Sequence, residues 1–128
     1  MPPDHRAFVE SWLARRVRGG DVRVLADEAL GAVWSRARRG LAGLTLQALG
    51  RAARDAAARE LPLLSDVTVG PEGFSLEGIP PAPPDELRAA LGGLLIELLS
   101  VVESTTGDIL APALQAELLR IGRAGAEG

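Results

Sequence analysis

Apolar residues recur every three or four positions along most of this chain, switch once to every second position between residues 66 and 77, and then return to the first spacing. The wide spacing is that of one face of an α-helix and the narrow one that of a half-buried strand, so the pattern predicts helices interrupted by a single β-hairpin. In the first segment Phe8 and Trp12 stand four apart, as do Val9, Leu13 and Val17. Asp4 is placed to cap this helix, which runs to about Arg18 and is stopped by Gly19 and Gly20. Asp21 opens a second helix to about Arg39, with Val22, Ala26, Ala29, Leu30, Val33, Trp34 and Ala37 inward and Gly40 as its stop. A third follows from a Thr45 cap to about Glu60, with Leu46, Leu49, Ala53, Ala56 and Ala57 inward. Arg51, Asp55 and Arg59 step by four along a solvated face, and Pro62 closes the segment.

Val67 and Val69, then Phe74 and Leu76, alternate with Asp66, Thr68, Ser75 and Glu77 around Gly70-Pro71-Glu72-Gly73, which predicts a hairpin with a four-residue loop. A lone hairpin is marginal in water, so its apolar face must rest on helices or join another sheet. Residues 79–84 hold four prolines and predict a stiff, extended connector.

The strongest helical signal opens at Pro84, Asp85 and Glu86 and runs to about Thr105, because proline suits a first turn and acids suit the positive end of the helix dipole. Leu87, Leu91, Leu94, Leu98 and Val101 form one apolar row, and Leu95, Leu99 and Val102 form a second beside it. So wide an apolar surface marks the central helix of the core or one packed on two sides. Gly92 and Gly93 each cost about 1 kcal/mol in a helix interior, and close approach of another backbone is the use that offsets it. Leu95, Leu99, Val102, Gly92 and Gly93 are therefore the candidate interface for self-association as a two-fold dimer, with cover by the last helix as the competing explanation. That last helix follows Gly107 and Pro112, turns Leu114, Leu118 and Ile121 inward and ends near Arg123, leaving residues 124–128 as a fraying tail. The fold class expected is thus mostly α (α+β): about five helices around a hydrophobic fourth, one hairpin, and one domain over residues 1–123.

Composition narrows the function. With 128 residues the chain is long enough to bury a core without cross-links, and the absence of cysteine removes thiolate zinc, thiol nucleophiles and sulfur redox chemistry together. No apolar run approaches the roughly 20 residues of a membrane span, and the start of the chain is not a signal peptide, which points to a cytoplasmic protein. All basic residues are arginine, a bias of GC-rich bacterial coding. Charge is segregated: residues 1–60 carry a net +4 and residues 61–128 a net −7, so each half can attract the other within one chain or between two copies.

Candidate chemistry is thin. The single histidine, His5, is expected to be a solvated residue of the terminus, and tyrosine and lysine are absent, so no enzyme and no cofactor is expected. Metal ligands are not expected from dispersed carboxylates. Glu97, flanked by apolar residues, marks either the solvent edge of its helix or a partner for an arginine of the first two helices. Arg15, Arg16, Arg18, Arg23, Arg36, Arg38 and Arg39 offer a basic stripe, but a net charge of −3 and two tryptophans on apolar faces argue against nucleic acid. What remains is a non-catalytic protein-interaction or regulatory module of a bacterial signalling or assembly system. The alternative is a sensor for an apolar small molecule bound among Phe8, Trp12, Trp34 and the fourth helix.

Overall fold

The computed structural model describes residues 5–16, 22–107 and 109–127, and the side chains of all of these except Arg16 and residues 122–127. The Asp4 and Asp21 caps, the Gly19-Gly20 stop, Val17, Arg18 and Asp108 lie outside the described residues. The elements in order are α1 (His5–Arg16), α2 (Val22–Ala37), α3 (Gly43–Glu60), a 3₁₀ turn (Pro62–Asp66), β1 (Thr68–Gly70), β2 (Gly73–Ser75), α4 (Pro84–Thr106) and α5 (Ala111–Glu127). The chain is mostly α with one antiparallel hairpin, as its pattern predicts.

α4 packs against each of the other four helices, which is what two adjoining apolar rows require. Leu91, Leu94 and Leu98 of the first row and Leu95, Leu99 and Val102 of the second are all buried in one continuous cluster with residues of every other helix. Each buried leucine contributes about 1.5–3 kcal/mol relative to exposure, so this helix dominates the apolar stabilisation. Pro84 and two acids open it, and Gly107 at φ 70° closes it, its N–H donating to the Glu103 carbonyl at 2.7 Å.

Several boundaries differ from the sequence expectation. α3 begins at Gly43 with Ala42 in the cap position and no side-chain cap, so Thr45 lies inside the first turn instead of before it. After α3 the chain enters a 3₁₀ turn that the spacing did not reveal, because Pro62 ends one helix and is equally suited to the first position of another. The strands pair Thr68 with Ser75, Val69 with Phe74 and Gly70 with Gly73, leaving a two-residue Pro71-Glu72 loop instead of four residues. α5 continues past Arg123 to Glu127.

The hairpin rests on α2 and α3 and, among the described residues, pairs with no further strand. Trp34 anchors it: its indole N–H donates to the Pro71 carbonyl at 3.3 Å, and its ring meets Phe74 edge-on with centroids 5.4 Å apart. Gly73 sits at φ 118° with its α-carbon against the same indole, where a β-carbon would come within 3.1 Å of the ring; both conformation and space demand glycine. From α3, Arg54 donates to the Val67 carbonyl at 3.2 Å and pairs with Asp55 at 2.9 Å, so Asp55 is held by its sequence neighbour and not by the Arg51–Arg59 ladder.

Candidate functional site

Residues assigned to a two-fold interface are spent inside the chain. Leu95, Leu99 and Val102 are fully buried, and no area of their side chains is left for a second copy. What comes close to Gly92 and Gly93 is not another backbone but side chains of the same chain: a β-carbon at Gly92 would meet the Leu13 side chain of α1 at 3.0 Å, and one at Gly93 the Leu61 side chain at 2.8 Å. A row of leucines reads the same in sequence whether the cover is a fourth neighbour in the fold or a partner, and α4 has four neighbours.

His5 is likewise corrected. It is 7% exposed, where α1, α4 and α5 converge, and both ring nitrogens are engaged: Nε2 lies 3.1 Å from Glu103 Oε2 and Nδ1 lies 3.1 Å from Gln115 Nε2. A neutral ring with its proton on Nε2 satisfies both contacts, donating to the carboxylate and accepting from the amide. Close by, the Trp12 indole donates to the Leu118 carbonyl at 2.7 Å, so α1 is fastened to α5 by two polar contacts within an apolar seam.

Two surface features remain unused by the fold. The first is an end of the bundle where the α2–α3 and α4–α5 turns meet, the α-carbon of Gly40 facing the Leu110 side chain. There Leu44 is 83% and Ile109 84% exposed, more than any other large apolar side chain described. Arg38 and Arg39 are exposed beside them, Arg36 is half-buried, and no carboxylate of the described residues lies within ion-pair distance of any of the three. Glu117, across a groove from Arg36 and Arg39, is already held by Arg120 at 2.6 Å. Cations suit the C-terminal end of α2, but that dipole does not require leucine and isoleucine in water next to them.

The second feature is a trough of about 490 Å³ on the exposed side of α4, walled by α1 and by the end of α3. Leu13, Ala57, Leu61, Ala89 and Ile96 give it an apolar lining over the two glycines, while Glu10, Glu60, Asp85 and Glu97 outnumber Arg6 and Arg88 around it. Arg6 is engaged with Glu10 at 3.8 Å. Glu60 stands in the last turn of α3, at the negative end of the dipole, where a carboxylate is disfavoured. Glu97 is half-buried at the trough and has no arginine of the described residues within ion-pair distance, which is the solvent-edge alternative for this residue.

Compared with protein families, curated proteins and solved structures, the chain matches none of them.

The remaining candidates do not converge. Trp12 lies on the α1–α5 seam and Trp34 on the α2–hairpin seam, so they do not share a pocket, and the apolar cleft between α2, the 3₁₀ turn and α4 holds about 20 Å³, room for one water. Arg23, at the start of α2, donates to the Leu76 carbonyl, while Arg36, Arg38 and Arg39 lie at or beyond its other end, so the arginines form no continuous stripe. Among the described residues no three histidine or carboxylate side chains are grouped to hold a metal ion, and no helix is long and apolar enough to cross a membrane. Leu44 and Ile109 escaped the sequence reading because they lie off the helical period. Leu44 is two residues, about 200° of helix, from Leu46, and Ile109 stands in a turn between Gly107 and Pro112. A large apolar residue in a turn that no neighbouring face claims was the available signal.

Proposed function

We propose that the chain is a non-catalytic protein-interaction module of a cytoplasmic bacterial signalling or assembly system, and that it self-associates. The observation that supports this reading is the pair Leu44 and Ile109, left in water at the end of the bundle whose α2–α3 connection also carries exposed Arg38 and Arg39. Apolar anchors with a charged surround are the composition of an interface centre and its rim. Engagement of both nitrogens of His5 within the fold supports the non-catalytic part, since the commonest proton-transfer side chain is committed to structure. A protein partner is favoured over nucleic acid by the net charge of −3 and by the use of Arg23 and Arg54 on backbone carbonyls.

Sedimentation velocity over the micromolar range tests it. Wild-type protein should show concentration-dependent association, and the double substitution Leu44→Ser, Ile109→Ser should remain monomeric with an unchanged circular dichroism spectrum. A wild type that stays monomeric throughout, or a double variant that associates as the wild type does, defeats the reading.

A further inference from the structure

The basic end and the acidic trough are complementary, and they are different surfaces of one chain. The arginine–carboxylate pairs Arg6–Glu10, Arg54–Asp55 and Arg120–Glu117 each join close neighbours in sequence, so none of these three brings the basic half of the chain against the acidic half. His5 with Glu103 does span them, at a buried junction. Arg38 and Arg39 therefore stand exposed at one place and Glu60, Asp85 and Glu97 line another.

We infer that the occupant of the α1/α3/α4 trough is the basic end of a second copy of this chain, with Leu44 and Ile109 seated on the apolar lining and Arg38 and Arg39 facing Glu60 and Glu97. This rests on the self-association proposed above and specifies its geometry. A contact of the basic end with itself would bring two Arg38-Arg39 pairs together across a two-fold axis, which like charge disfavours. The trough offers opposite charge, an apolar lining and about 490 Å³, within the roughly 300–1,000 Å³ of pockets that take up apolar groups. The two surfaces lie at opposite ends of α3, along which Leu44 and Glu60 are about 24 Å apart at 1.5 Å per residue. Two copies satisfy such a contact twice about a two-fold axis, each end in the other's trough, or pass it from copy to copy as a ring or chain.

Two complementary variants decide it: Arg38→Glu with Arg39→Glu, which disables the end, and Glu60→Arg with Glu97→Arg, which disables the trough. By sedimentation velocity each alone should associate roughly tenfold or more weakly than wild type, since attraction becomes repulsion at the rim. Wild-type association should also weaken as salt rises. An equimolar mixture should associate again, because each variant retains the surface the other lacks and the reversed end and reversed trough are themselves of opposite charge. No complex in the mixture overturns the inference. So does a trough variant that associates like wild type while Leu44→Ser, Ile109→Ser does not; that result keeps the interaction module and moves its receptor surface elsewhere. Circular dichroism and thermal melts establish that each variant is folded. If the Arg38→Glu, Arg39→Glu protein is not, Leu44→Ser with Ile109→Ser replaces it in the mixture, with the same outcomes.

Discussion

Leu99 and Leu44 are the same residue in two helices of one small fold, and they mark its two kinds of surface. Leu99 belongs to the second apolar row of α4, where a helix has neighbours on every side, and nothing of it reaches water. Leu44 belongs to the first turn of α3, on the side away from Leu46 and Ala53, and 83% of it reaches water. The longest apolar pattern in the chain thus describes its interior, while the two most exposed large apolar residues are isolated ones, Leu44 in the first turn of α3 and Ile109 between α4 and α5. Richness of an apolar pattern measures how much a fold needs an element, and surface availability shows where the pattern is broken.

The sharpest way to break this comparison is Leu99→Glu. A carboxylate placed in the fully buried site has no partner there, and an uncompensated buried charge costs more than a small domain can spare. The expected outcome is loss of the cooperative unfolding transition and not a folded monomer. A variant that melts like wild type would return Leu99 to the surface. Leu98→Ala comes next: a buried leucine truncated to alanine should cost about 2–5 kcal/mol in chemical denaturation.

Smaller effects test the polar and turn contacts at the edges of the core. Gly73→Ala introduces a β-carbon at φ 118° against the Trp34 indole, and about 1–3 kcal/mol of stability should be lost, with the tryptophan emission shifted as the ring moves. His5→Ala removes the ring that joins Glu103 to Gln115; the two partly exposed partners are rehydrated, so the loss should be about 1–2 kcal/mol by urea titration. An unchanged midpoint for His5→Ala would show that the α1 terminus is held by Trp12 and its apolar neighbours alone.

Element types were legible from spacing, because each helix had to present a continuous face to α4 and the hairpin had to alternate. The central place of α4 followed from its two rows. What local pattern did not carry was the identity of each neighbour. Gly92 and Gly93 announce a close approach, yet only the folded chain shows that Leu13 and Leu61 make it. His5 looked solvated because its partners, Glu103 and Gln115, are 98 and 110 residues away in sequence. Thr45 looked like a cap because caps are chosen by residue type, whereas the cap position lies three residues earlier, where Ala42 provides the extended backbone and no side-chain oxygen. The trough had no signature at all, since its walls come from three helices and its acids are spread over residues 10–97.

The smallest expected effect on stability is the one that carries most about function. Leu44 makes so little contact with the rest of the chain that Leu44→Ser should change the unfolding free energy by less than about 0.5 kcal/mol, the range of ordinary surface substitutions. Serine is only slightly poorer than leucine in helix propensity, which leaves the first turn of α3 intact. Association should nevertheless weaken, because an apolar anchor contributes to binding through area that is wet in the free protein and dry in the complex. Denaturation and sedimentation on the same preparation separate the two quantities. A loss above about 1 kcal/mol in the monomer would mean that Leu44 supports the fold after all, as a core residue does, and the contrast with Leu99 would collapse.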